Sequence, residues 1–107
     1  MQTFKSQRAA QMAVSKAERA HDAAYEARVD FQNANRPLPC VEPGDVGEWA
    51  DEGRAVLAKL AELQAVEDAA WQKARVTYDA AIGQGLSVHS NMFGYNATRE
   101  LIAANID

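Results

Sequence analysis

A single cysteine, Cys40, is all the thiol chemistry this sequence offers, so no disulfide within the chain can staple the fold. A reducing compartment suits such a chain. No stretch approaches the ~20 apolar residues needed to cross a bilayer. No apolar signal region follows Met1, and a cytoplasmic protein is predicted. The three prolines are confined to Pro37, Pro39 and Pro43, which leaves two long stretches free to be helical. Cations are in deficit: 11 Lys and Arg stand against 15 Asp and Glu, for a net charge of −4. That balance disfavours binding to a nucleic-acid backbone. It is also too small to mimic one.

What fills the chain instead is alanine, at 22 of 107 positions. One domain is the limit at this length. Burial stabilises by roughly 25 cal/mol per Å² of apolar surface, and alanine brings little of it. A lone chain with such a core is marginal, which predicts a homodimer or other homo-oligomer.

The alanines are in register. With heptad position a at 10, 17, 24 and 31 and d at 13, 20, 27 and 34, seven of the eight residues are alanine and the eighth is Phe31. A repeat of 3.5 marks a helix packed lengthwise against another. The first helix is predicted over about 4–34, with Asn33 and Asn35 suited to a left-handed cap. Residues 36–44 form a proline-rich linker. Asp45 and Glu48 have the spacing of a capping box, which opens a second helix over about 46–82. Its expected seam is Leu57, Leu60, Gln64, Glu67, Trp71, Ala74, Tyr78 and Ala81. Large side chains on this helix thus complement the small ones of the first. A loop at 83–95 and a short helix at about 97–106 complete the chain. The predicted class is all-α: a long antiparallel, coiled-coil-like hairpin with an alanine-rich seam, plus a short C-terminal helix.

A hairpin closing near residue 41 brings residue 18 close to 65 and residue 8 close to 75. On that register Lys16 pairs with Glu67, and Lys59 reaches Asp22 or Glu26. Glu18 and His21 have the Glu-x-x-His spacing of di-iron carboxylate bundles. With Asp22 and Glu62 they are the candidate metal ligands of a ferritin-like alternative. Glu18, Asp22, Glu26 and Asp30 recur every four residues. Like charges at that spacing destabilise a helix by a few tenths of a kcal/mol per pair, so the ridge suits a basic partner. Lys5, Arg8, Lys73 and Arg75 would cluster on this register and support a second alternative, a nucleic-acid accessory protein.

No nucleophile-and-base arrangement emerges. His21 and His89 lack a neighbouring nucleophile, and Ser6, Ser15, Ser87 and Ser90 lack an elbow context. "GQG" at 83–85 lacks the lysine and spacing of a phosphate loop. The predicted function is therefore non-enzymatic interaction with another protein. An adaptor, assembly factor or inhibitor of bacterial, plasmid or phage origin fits, with no cofactor and no membrane contact. The expected partner-binding residues are the ridge Glu18, Asp22, Glu26 and Asp30, together with Met92, Phe93 and Tyr95.

Overall fold

The computed structural model describes residues 2–94. Tyr95 and the helix expected at 97–106 lie outside the described residues. Two helices, α1 (Gln7–Ala34) and α2 (Glu48–Gly83), pack as an antiparallel hairpin. The molecule is a rod of 64 × 25 × 24 Å.

Ser6 sets the start of α1. Its backbone is extended and its Oγ accepts the Ala9 N–H at 3.1 Å, satisfying one of the first-turn donors. At the other end Asn35 caps the helix, but not in the left-handed conformation the sequence suggested: its φ is −115°. Its side-chain amide donates to the Phe31 carbonyl at 2.8 Å instead.

The capping box expected at Asp45 and Glu48 does not form. The Asp45 carboxylate accepts the Glu42 N–H at 2.8 Å and closes a linker turn. The N-cap is Gly47, whose φ of +115° admits glycine readily. Glu48 and Asp51 still place negative charge at the positive end of the α2 dipole. α2 ends in a Schellman motif. The Leu86 N–H bonds the Ala81 carbonyl at 3.0 Å and the Gly85 N–H bonds the Ile82 carbonyl at 2.9 Å, with Gly85 left-handed.

The register differs from the predicted one. Arg28 of α1, not Lys16, forms the ion pair with Glu67, and Ala17 lines a groove with Thr77. From that ion pair α1 runs only six residues to Ala34, whereas α2 reaches back nineteen to Glu48. α2 therefore overshoots α1 by roughly 20 Å at 1.5 Å per residue. The linker packs along this overhang. A Cβ on Gly53 would lie 2.6 Å from Val41 Cγ2 and 3.1 Å from Pro39 Cβ, so only glycine admits the linker here. Cys40, between those two residues, is exposed.

The α1 seam is also rotated from the expected one. Position a holds: Ala10 and Ala17 are buried and Ala24 half-buried. Position d does not, because Ala20, Ala27 and Ala34 are exposed. Val14, His21 and Arg28, one residue further on, turn inward instead. On α2 the expected Leu60, Ala74, Tyr78 and Ala81 are buried, Gln64 is exposed and Trp71 is 40% exposed. The main core sits at the open end of the hairpin. Ala10, Val14, Tyr78, Ala81 and Val88 are buried there, with Phe4, Ile82, Leu86 and Phe93 packed around them.

Candidate protein-interaction surface

Two glutamines tie the segments that flank the two helices to the hairpin. The Gln84 amide accepts the Phe4 N–H at 2.9 Å and donates to the Phe4 carbonyl at 2.7 Å. Gln11 does the same for His89, accepting its N–H at 2.7 Å and donating to its carbonyl at 2.9 Å. Each side chain thereby satisfies both polar groups of one extended residue. Residues 86–91 run back along α1 in this way, with Val88 and Ser90 buried. Ser90 Oγ then accepts the N–H groups of Met92 and Phe93, at 3.2 and 2.8 Å, and turns the chain.

This segment changes the role of Glu18. Glu18 is only 5% exposed, and its carboxylate accepts the Asn91 N–H at 3.0 Å. Glu18 is thus a holding point for the C-terminal segment and not part of the acidic ridge. Burial of its Oε1 without a hydrogen-bond partner underlines how tightly it is covered.

Phe93 is likewise engaged within the chain. Its ring stacks at a tilt on Tyr78 with centroids 5.2 Å apart, meets Trp71 edge-on at 5.7 Å, and lies 4.9 Å under the Arg75 guanidinium. Met92 and Phe93 are half-buried. Arg75 also pairs with Asp79 at 3.2 Å, which removes it from the expected basic cluster.

The proposed metal ligands do not converge. Glu18 faces Asn91, His21 has its Nδ1 3.6 Å from Asp22, and Glu62 pairs with Lys59 at 3.6 Å. That last pair also keeps Lys59 on its own helix, away from the predicted Asp22 and Glu26. No group of three His, Cys, Asp or Glu suited to a metal occurs among the described residues.

Arg28 fills the middle of the seam. It holds Glu67 through Nε and through Nη2 at 3.4 Å, donates to Gln32 at 2.9 Å, and lies 5.3 Å from the Tyr25 ring centroid. Donating to the Glu67 carboxylate raises the guanidinium pKa further above its usual value. With Arg28 turned inward, nothing basic on α1 neutralises the C-terminal half of its outer face. Glu26 and Asp30 form no ion pair among the described residues.

The N-terminal half of that face has the opposite sign. Arg8, Lys16 and Arg19 line a groove along the outside of α1 with Met12, which is 62% exposed. Lys16 also lines a neighbouring groove of about 260 Å³ with Ala20, Lys73 and Thr77. None of these cations enters an ion pair among the described residues. The expected basic cluster held Arg8 and Lys73 but not Lys16, which was paired with Glu67, or Arg19. Their spacing of three on one face was the available signal. No helix among the described residues is long and apolar enough to cross a membrane. Compared with known protein families, characterised proteins and solved structures, the chain matches none.

Proposed function

We propose that the protein is a non-enzymatic interaction module, acting as an adaptor, assembly factor or inhibitor in the cytoplasm, and that it binds another protein through the outer face of α1. The observation that supports this is the division of exposed charge along α1. Cations occupy the N-terminal half, and Asp22, Glu26 and Asp30 the C-terminal half. An exposed pair with a partner's opposite charge steers encounter and selects orientation more than it adds affinity.

The test is affinity capture with the wild-type chain and with an Asp22→Lys/Glu26→Lys/Asp30→Lys variant. These side chains are exposed, so the helix content of the variant should match the parent's. Retention of the same partner by both forms would sink the assignment to this face.

A nucleic-acid accessory role is the second reading, favoured by the five unpaired cations Lys5, Arg8, Lys16, Arg19 and Lys73. It requires binding that weakens steeply as salt rises. A mobility-shift titration with no such binding removes it.

A further inference from the structure

Resting on the interaction reading above, we infer that the partner of the α1 outer face is a second copy of this chain, packed antiparallel. Helical spacing places Lys16, Ala23 and Asp30 seven residues apart on one outward stripe of α1. Arg19 and Glu26 flank it with the same spacing. All five residues are exposed. This stripe and its flank are cationic before Ala23, at Lys16 and Arg19, and anionic after it, at Glu26 and Asp30, and a parallel pair of them sets like charge on like.

An antiparallel pair with its two-fold axis at Ala23 reverses this. Lys16 then lies level with Asp30 of the second copy, and Arg19 within one residue of the level of Glu26 of the second copy. An isologous dimer makes each of these pairs twice. Met12, the large apolar side chain on this face, falls level with Ala34 of the second copy. Lys73 shares a groove with Lys16, so Asp30 of the second copy approaches two ammonium groups. The alanine at the axis lets the helices approach near the lower end of the usual 8–10 Å separation, within reach of all four pairs.

Sedimentation equilibrium of the full chain tests the pairing. The wild type should be a dimer that dissociates as salt screens the exposed charges. Lys16→Glu/Arg19→Glu should be monomeric, and so should Glu26→Lys/Asp30→Lys. An equimolar mixture of these two variants should recover a one-to-one heterodimer, because every facing pair is again of opposite sign. Circular dichroism confirms that each variant is folded. A monomeric wild type overturns the pairing. So does a dimeric wild type whose two variants stay dimeric alone or fail to associate when mixed. A monomeric wild type that still captures a different protein through the ridge leaves the interaction reading standing, which separates the two failures.

Discussion

Gly53→Ala should destabilise the protein, although helix propensity alone points the other way. In the interior of an exposed helix, replacing glycine by alanine gains roughly 1 kcal/mol. At this position the added methyl would stand 2.6 Å from Val41 Cγ2 and 3.1 Å from Pro39 Cβ. Valine is branched at Cβ and stiff at χ1, so it cannot simply swing away. Forcing a methyl into a filled site typically costs about 1–3 kcal/mol. The clash should outweigh the propensity by about 1 kcal/mol. For a domain of this size each kcal/mol lowers the melting temperature by roughly 4–8 °C. Thermal melts followed by far-UV circular dichroism read this directly. The companion variant Gly53→Ala/Val41→Ala removes the closest contact and should recover most of the loss. A single variant that melts at or above the parent's temperature would mean that the linker does not pack on the α2 overhang.

The remaining expectations concern the C-terminal segment and the linker. Glu18→Ala strands the Asn91 N–H and should cost about 1–3 kcal/mol, with faster amide exchange at residues 88–91; unchanged exchange would show that Glu18 does not hold the segment. Phe93→Ala removes a ring in contact with Trp71, Tyr78 and Arg75. It should lower stability by less than the 3–5 kcal/mol typical of a fully buried phenylalanine, and a variant with full stability but lost partner binding would return Phe93 to the interaction surface. Cys40→Ser should leave the melting temperature unchanged, because the thiol is exposed, and a marked loss would place that side chain in the packed linker.

The two long helices were legible because proline is confined to one segment and the alanines keep a heptad register. Their ends fell within three residues of the predicted ones. The seam was harder to read. Alanine occupies 9, 10, 13, 17, 20, 23, 24 and 27, so more than one stripe is consistent with close packing. Val14 was the discriminating residue: the one branched aliphatic in that stretch of α1 sits at position e and is fully buried.

The register was missed because a midpoint at residue 41 assumes helices of equal reach. Gly53, inside an otherwise helix-favouring stretch, was the trace of the overhang. Glu18 looked solvated because its cover comes from residues 89–91, more than seventy positions away. The alternation of Leu86, Val88 and Ser90 was a weak period-two signal of an extended run. The amide pairings of Gln11 and Gln84 leave no pattern in sequence, since glutamine suits most exposed positions equally well.

The central claim is that α1 packs the stripe of Ala10 and Ala17 inside the hairpin and leaves Ala20 and Ala23 outside it. Ala17→Leu and Ala20→Leu test it most directly, compared by thermal melts at dilutions where the melting temperature no longer depends on protein concentration. Ala17 is 6% exposed, and leucine there should overpack the seam at a cost of about 1–3 kcal/mol. Ala20 is exposed beside an open groove, and leucine there should leave the melting temperature unchanged or slightly raised. An equal loss in both variants, or a loss at Ala20 alone, would contradict the division of α1 into an inner and an outer face.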